Sequence, residues 1–292
     1  MSLAGTIPST ASAPERRSGA WRFIRRNPTM VVGGVILVVV ALIAIVAPFF
    51  AGDPVTMQPA LRLRPPSETN WLGTDNLGRD VFARTVYGAR VSLSVGLSVA
   101  TLSITFGLVI GLLAGYFRLV EAIVMRLMDG LMAIPAILLA IALVALTRAS
   151  VSVVIAAITI PEIPRVVRLV RAVVLSVREA PYVEAAVAGG TPALKIVVRH
   201  ILPNTIAPLI VQATYIIASA ILIEAGLSFL GAGTPPEIPT WGNMIAQSRL
   251  FLSRAPWTIF APGAALALVV LSVNLLGDGL RDRLDPRLAR RM

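Results

Sequence analysis

The chain contains no cysteine, one histidine and one lysine among its 292 residues. Without cysteine, the sequence excludes disulfides and thiolate metal sites. A single histidine, His200, argues against a zinc cluster and against a histidine-based nucleophilic triad. Lys195 follows Leu194, so the chain has no Gly-Lys-Ser/Thr sequence of the P-loop type. We therefore expect a protein that is not an enzyme, holds no metal or cofactor of its own and takes any ATP-derived energy from a partner.

Charge is also scarce: 14% of residues are charged, 56% are hydrophobic and the mean hydropathy is +0.82. The apolar residues form long uncharged runs that only a bilayer accommodates readily. A net charge of +11 could suggest nucleic-acid binding. However, the arginines flank the apolar runs, and no basic stretch alternates with aromatic residues. The composition therefore predicts an all-α integral membrane protein with the lipid bilayer, and no nucleic acid, as its surroundings.

Five uncharged runs are long enough, or nearly so, to cross about 30 Å of hydrocarbon. They comprise residues 30–50, 91–117, 130–147, 201–223 and 255–277. Residues 149–161 form a sixth, shorter candidate that ends before Glu162. Each terminal tail carries five arginines, which places both tails in the cytoplasm and requires an even number of spans. The sequence therefore predicts six transmembrane helices, with the short segment continuing as a helix through Arg165, Arg168 and Arg171.

This topology divides the chain into four parts. Residues 1–18, rich in Ser, Ala, Thr and Pro, are expected to be a disordered tail. Residues 19–90 are expected to form an anchor helix and a long outer loop, and residues 91–280 a core of five transmembrane helices. Residues 281–292 form a cytoplasmic tail. The first apolar run is longer than a signal-peptide core, which favours a retained anchor over a cleaved signal.

A compact hairpin is predicted between the fourth and fifth spans. It consists of a short Ala-rich helix, a turn at Gly189 and Gly190, and a second helical stretch stopped at Pro203. Small side chains on the first helix allow another protein's backbone to approach closely, and glycine supplies the positive φ of a tight reversal. These features suit a protein docking surface. The alternative is a basic cytoplasmic loop that has no partner.

The hairpin resembles the EAA loop of ABC importer permeases, which has Glu-Ala-Ala, three residues, Gly, nine residues, an aliphatic residue, one residue and Leu-Pro. Within a loop of about residues 178–204, the matching residues are Glu184, Ala185, Ala186, Gly190, Leu202 and Pro203. One position departs from the pattern, because His200 stands where the aliphatic residue belongs and Ile201 follows it. The resemblance implies that these residues couple the chain to an ATPase.

Further motifs resemble the dipeptide, oligopeptide and nickel branch of these permeases, in particular its second, C-type permease. They are Trp-Leu-Gly-Thr-Asp from Trp71, Leu-Ser-Phe-Leu-Gly from Leu227, Trp-Gly-Asn-Met from Trp241 and Gly-Asp-Gly-Leu-Arg-Asp from Gly277. The resemblance implies the six-helix, MetI-like permease fold of type I ABC importers in a bacterial inner membrane. It also implies a sister permease, two cytoplasmic ATPases that bind ATP and Mg, an extracytoplasmic solute-binding protein and a peptide cargo. Nickel or another small solute is an alternative cargo, and an ion-coupled carrier or channel is an alternative class.

The second span carries glycines four residues apart, at Gly107, Gly111 and Gly115. This spacing favours close helix packing, within or between subunits, over a role on the substrate path. Pro161 and Pro164 are expected to bend or end the fourth span. Either a hinge or a plain helix terminus would explain them.

Glu224 follows the uncharged run of residues 201–223 and lies about 34 Å along a helix that starts at Ile201. That distance places it at the outer mouth, together with Trp241. We expect Glu224 to be a capping or ion-paired group there, with a place on the substrate path as the alternative. The outer loops around Trp71 and Trp241 either receive a binding protein or cap the helical bundle.

Overall fold

The computed structural model describes residues 27–284, which are mostly helical, with one long connection at residues 51–80 and one isolated bridge between Thr74 and Asp80. The α-helices of this part are α1 (Pro28–Phe50), α2 (Val81–Tyr116), α3 (Arg118–Met132), α4 (Ala136–Ala145), α5 (Val151–Arg178), α6 (Pro181–Ala188), α7 (Ala193–Ile196), α8 (Leu202–Phe229), α9 (Trp241–Ser248) and α10 (Trp257–Leu284). A π-helical segment, Val197–Ile201, joins α7 to α8, and two 3-10 turns lie at Pro59–Leu61 and Arg249–Phe251. The all-α class is confirmed. The expected disordered tail and most of the C-terminal tail lie outside the described residues.

Four helical stretches are long and apolar enough to cross a membrane: α1, α2, the continuous stretch from α7 through α8, and α10. Helices α3 and α4 pass the same test only as a pair, and they are bent by 85° at the break between them. The predicted span over residues 130–147 is therefore not one continuous helix, and it crosses only if the bent pair forms a single broken span. Pro135 precedes α4 in an extended conformation, which ends the helical path from α3. Alone, α4 is about 15 Å long and too short to cross.

The expected short fourth span is part of a 28-residue helix, α5, which runs through Pro161 and Pro164 without ending at either. Because charged side chains interrupt it from Glu162 onward, α5 does not count as an apolar span. The structure thus has four spans by length and composition, or five with the bent pair. The predicted count of six is reached only if α5 also crosses, which its length of about 42 Å permits.

The contact between α2 and α5 forms the centre of the bundle, and α8 packs against both helices. The glycine stripe of α2 lies in this contact. A Cβ added at Gly107, Gly111 or Gly115 would lie 2.5, 2.7 or 2.6 Å from the Cβ atom of Val166, Val170 or Val174, respectively. The stripe therefore allows two helices of the same subunit to approach more closely than any larger residue would permit.

Helix α1 packs along α10, and a Cβ added at Gly33 would lie 2.5 Å from the Ser272 carbonyl oxygen. Most of the remaining surface of α1 is apolar and exposed, as at Ile45 and Phe49. Such a surface is suited to lipid or to the apolar face of another membrane protein. The first helix is therefore packed against the core along one side and open along the other.

Candidate functional site

The predicted hairpin is formed by α6 and α7. Pro181 begins α6. The first residue of a helix has no intrahelical acceptor for its N–H, so proline loses no hydrogen bond at this position. At the other end, the Gly190 N–H donates to the Val187 carbonyl at 2.9 Å and the Thr191 N–H donates to the Ala186 carbonyl at 3.0 Å. This pair of bonds is a Schellman motif, and Gly190 adopts the left-handed conformation it needs, with φ +74°. The turn is thus fixed by backbone hydrogen bonds and by a residue without a side chain.

Three apolar side chains attach the hairpin to the bundle. Val183 on α6, Ile196 on α7 and Ile201 in the π-helical segment are buried, and they belong to the same core cluster as Val174 of α5. Because the core fixes both arms, the hairpin is a rigid projection rather than a loose loop. A force on its tip is passed to the helices on either side.

The π-helical segment explains the departure from the EAA pattern at His200. Ile201 is fully buried and supplies the aliphatic anchor, whereas His200 is only half-buried beside Tyr182, with ring centroids 6.2 Å apart. The Asn204 Nδ2 donates to the His200 carbonyl at 2.7 Å, a bond that satisfies an oxygen near the irregular turn. The wider turn of a π-helix allows the aliphatic anchor to fall one residue later than the pattern expects.

The outer face of the hairpin is small and apolar. Glu184 and Ala185 are exposed and Ala186 is half-buried. Three larger apolar residues nearby, Tyr182, Val187 and Leu194, are exposed by 49%, 56% and 76%. We call the exposed residues Tyr182, Glu184, Ala185, Val187 and Leu194 the hairpin face. Apolar side chains concentrated on a projecting element are typical of a protein–protein contact. The remaining motif residues, half-buried Leu202 and exposed Pro203, begin α8.

Two ion pairs that the sequence analysis missed connect α5 to α3. Arg171 Nε donates to Glu121 Oε1 at 2.8 Å, and Arg168 Nη2 donates to Asp129 Oδ1 at 2.6 Å. Both side chains of the second pair are largely exposed, so it contributes at most about 1 kcal/mol. Together the pairs orient the bent α3 beside α5. No local pattern predicts them, since the partners are 39 and 50 residues apart.

Glu224 is buried five residues before the end of α8 at Phe229. Its side chain is fully buried, and its Oε1 accepts a bond from Ser228 Oγ at 2.9 Å and a longer one from Thr234 Oγ1 at 3.5 Å. Among the described residues no cation pairs with it, so the expected ion pair is absent, and its Oε2 has no hydrogen-bond partner. The carboxyl group links α8 to the loop that follows it.

Trp241 is buried to 1% exposure. Its Nε1 donates to the Thr85 carbonyl at 3.0 Å, which ties α9 to α2. Two residues on, the Asn243 Nδ2 donates to the carbonyl oxygens of Thr234 and Pro235 at 3.1 and 2.9 Å. These bonds hold the last outer loop closed over the bundle.

The first outer loop is organised by Asp75, which is buried. Its carboxylate accepts a hydrogen bond from Arg79 Nε at 2.6 Å. It also accepts hydrogen bonds from the backbone N–H groups of Leu77 and Arg79 at 2.8 and 2.9 Å. The Arg79 guanidinium also donates a hydrogen bond, from Nη2 to Gln247 Oε1, at 2.6 Å. This chain of bonds joins the first outer loop to α9, so both outer loops form one cap over the bundle.

Asp80 caps α2, since its carboxylate accepts the Phe82 N–H at 2.8 Å. Partial burial raises the pKa of this carboxyl group, because desolvation disfavours its charged form. Trp71, by contrast, is 66% exposed. Asp75 and Trp241 are therefore buried among structural partners, whereas Trp71 stays largely exposed and packs its ring against Phe82, with centroids 5.1 Å apart.

The arrangement is a bundle of packed helices. Among residues 27–284, no group of histidine and acidic side chains could hold a metal ion. Its distinctive features are a rigid projecting hairpin at one end, a tied outer cap at the other and closely packed helices between them. Residues 103–290 match the family model of the binding-protein-dependent transport system inner membrane component. The chain belongs to this family. Residues 17–66 match the N-terminal TM domain of oligopeptide transport permease C.

Individual relatives cover nearly the whole permease. It is 60% identical over 270 residues to a probable peptide ABC transporter permease protein, y4tQ, of Sinorhizobium fredii, an alignment that covers 92% of this chain and 93% of the relative. It is 44% identical over 281 residues to the dipeptide transport system permease protein DppC of Alkalihalophilus pseudofirmus, with 96% and 92% covered. The predicted resemblance to ABC importer permeases is confirmed.

The fold comparison agrees. A chain of the MetNI methionine ABC transporter, in inward-facing conformations, superposes with a TM-score of 0.55 at 21% identity and covers 69% of the permease and 96% of itself. At this identity the likeness shows the fold alone. The predicted permease fold class is confirmed, although the number of spans remains as described above.

Proposed function

We propose that the permease is the non-catalytic membrane subunit of an ATP-driven importer of di- and oligopeptides. It forms the translocation path with a sister permease and receives cargo from an extracytoplasmic solute-binding protein. Two cytoplasmic ATPases bind ATP and Mg, and one of them docks on the hairpin face of this chain. The names of the relatives, which are peptide and dipeptide permeases, support the cargo class. The observation that carries the proposal is the rigid hairpin with its exposed small and apolar face, which a channel or an ion-coupled carrier would not need.

The hairpin is built to transmit movement. On one side, only Glu179 and Ala180 separate α6 from α5. On the other side, α7 continues through the π-helical segment into α8 without a break. When the ATPases close on ATP, the docked hairpins move together, and α5 and α8 move with them. This rigid-body rotation alternates the bundle between inward and outward openings.

Reconstitution tests the proposal. Proteoliposomes containing the permease, its sister permease and both ATPases, with binding protein outside, should accumulate labelled dialanine and tetraalanine only when ATP is supplied to the ATPases. A nickel chelate should neither compete nor accumulate. Transport by the two permeases without ATPases would establish a channel or carrier and contradict the proposal. Accumulation of nickel but not peptide would contradict the cargo class.

The permease is a multi-pass inner-membrane protein by its spanning helices and its family. We further propose that both termini and the hairpin are cytoplasmic, that residues 19–90 form the anchor and outer loop, that residues 91–280 form the core and that residues 281–292 form the cytoplasmic tail. The arginines at both ends support this orientation. The non-helical part of this outer loop ends at Asp80, because α2 begins at Val81.

Single-cysteine labelling measures this orientation in a chain that has no natural cysteine. Glu68→Cys, exposed in the outer loop, should react with an impermeant maleimide in intact cells. Ala188→Cys, exposed on the hairpin, should react only after permeabilisation. The reverse pattern would contradict the proposed orientation, and labelling of both sites in intact cells would contradict the cytoplasmic hairpin.

A further inference from the structure

A cavity of about 460 Å³ opens between α5, α8 and α10, and most of its lining surface is apolar. It lies apart from the hairpin and from the outer cap. Six polar side chains from the three helices line it: Glu162, Arg165, Gln212, Tyr215, Ser219 and Asn274. Its volume falls in the range of about 300–1,000 Å³ that is typical of sites for small ligands.

The cavity lies at membrane depth. Counted back from Phe229, the outer end of α8, Ser219 lies about 15 Å and Gln212 about 26 Å along the helix. Both distances fall within a hydrocarbon layer of about 30 Å. Polar and charged groups at this depth are costly against lipid, so they face protein or a water-filled path. The cavity therefore belongs to the side of the bundle that lipid does not cover.

Arg165 and Glu162 form an asymmetric pair in this cavity. Glu162 is buried to 1% exposure, whereas the Arg165 side chain is 53% exposed, and Arg165 Nη1 lies 3.1 Å from Glu162 Oε1. Only Nη1 bonds to the carboxylate, although a guanidinium has five N–H donors. Glu162 thus fixes the orientation of Arg165 and leaves most of its donors directed to other partners. A planar fork of this kind matches a carboxylate in two parallel hydrogen bonds.

The other lining groups are neutral and can both donate and accept. The amides of Gln212 and Asn274 and the hydroxyl of Ser219 are suited to the N–H and C=O groups of a peptide backbone. The Tyr215 hydroxyl donates to Asp278 Oδ1 at 2.8 Å, one helical turn beyond Asn274. A polar surface therefore continues along α10 from the cavity toward the end of the helix at Leu284.

We propose that this cavity is a transient subsite on the translocation path, where Arg165 takes the α-carboxylate of the peptide and Glu162 is a positioning residue. The amides of Gln212 and Asn274 then bond the peptide backbone. The inference rests on the proposed peptide-import function. A terminal carboxylate is common to linear peptides whatever their side chains, so one arginine serves a mixed cargo. Because the guanidinium is half exposed and water competes for it, the peptide is held weakly enough to leave.

The test uses the complete complex in proteoliposomes, with binding protein loaded to equal occupancy by trialanine or by its C-terminal amide. Arg165→Gln should lower trialanine uptake per ATP hydrolysed by up to about fivefold, the scale of a half-exposed charge pair. Arg165→Lys should restore part of the lost uptake, because lysine restores the positive charge but not the planar guanidinium that binds a carboxylate through two hydrogen bonds. ATPase stimulation by loaded binding protein should stay within about twofold, since substrate release from that protein precedes the subsite.

Arg168→Gln is the matched control. Arg168 lies one turn further along α5 and pairs with Asp129 of α3, away from the cavity. It should leave uptake per ATP unchanged. In the wild type, the amide should be transported as slowly as trialanine is in Arg165→Gln, and the substitution should add no further loss for the amide.

Several results would overturn the inference. These are wild-type trialanine uptake by Arg165→Gln, equal transport of the acid and the amide by the wild type, and an equal loss in Arg168→Gln. Loss of the sister permease from purified Arg165→Gln complexes would show that the arginine pairs across the subunit contact, which also overturns it. If the wild-type complex transports no peptide at all, the proposed function fails, and that failure is visible before any variant is compared.

Discussion

Gly111→Val should abolish accumulation of the folded permease. A Cβ at this position would lie 2.7 Å from the Val170 Cβ and 3.0 Å from the Val167 carbonyl oxygen, and two further methyl groups would follow it. Because Val167 contributes backbone, the contact can relax only by separating α2 from α5. We expect destabilisation at or above about 3 kcal/mol, the upper range for overpacked cores. Fluorescence-detected size exclusion of tagged complexes should show less than about a tenth of the wild-type peak.

The control for this prediction is the same substitution at Gly263. That residue lies within α10, and a Cβ there would have no neighbour within 4 Å. Gly263→Val should give a peak close to that of the wild type. Equal peaks from the two variants would show that α2 and α5 do not pack as closely as the structure places them.

Gly190→Val and Ala186→Asp should each produce a permease that reaches the membrane but loses uptake about tenfold or more. Gly190 has φ +74° and no atom within 4 Å of an added Cβ, so valine causes backbone strain of about 1 kcal/mol or more without a clash. That strain is small against the stability of the bundle but large enough to reshape the turn. Ala186→Asp instead places a carboxylate where we propose that the ATPase covers the hairpin.

Gly189→Val is the control that separates the effect of backbone strain at Gly190 from the effect of a larger side chain in the turn. Gly189 precedes Gly190 in the same turn, but its φ of −76° is one that any residue adopts. We expect this variant to retain most of the uptake that Gly190→Val loses. The measurements are membrane level, peptide uptake and ATPase co-purification. Normal uptake by both Gly190→Val and Ala186→Asp would remove the hairpin from the coupling mechanism.

The hairpin could be predicted from sequence because its determinants are local. The Schellman turn depends on one glycine after a short helix, and the motif spacing identifies the side chains that α6 carries. The glycine stripe of α2 could also be predicted from the sequence, since a four-residue period places Gly107, Gly111 and Gly115 on one face of a helix. The sequence could not say which helix that face meets. Valines of α5 fill it, and they are 59 residues away in the chain.

The third span shows where hydropathy fails. Residues 130–147 are uncharged throughout, so a window of apolar residues cannot distinguish a straight helix from one that turns by 85°. Pro135 was the available signal, because it disfavours helical geometry in the residue before it. Burial of Glu224 and Trp241 was beyond the sequence, since both depend on the closure of residues 230–243 over α8 and α2.

The cavity at Arg165 was missed for a different reason. Arg165 was assigned to the inner continuation of a short span, which concealed its pairing with Glu162 at membrane depth. An i, i+3 pair of opposite charges inside a long helix was the signal for it. Gln212 and Asn274, isolated amides within apolar runs, were the second signal, but only the fold brings them to one cavity.

Photo-crosslinking from the hairpin face is the most direct test of the central claim, that the hairpin docks on an ATPase. A cysteine-reactive photo-crosslinker at Ala185→Cys, in the otherwise cysteine-free chain, should give an adduct with an ATPase subunit in the assembled complex. The same reagent at Leu230→Cys, exposed at the opposite end of α8, should give none. An ATPase adduct from Leu230→Cys, or its absence from Ala185→Cys in complexes that retain both ATPases, would contradict the account.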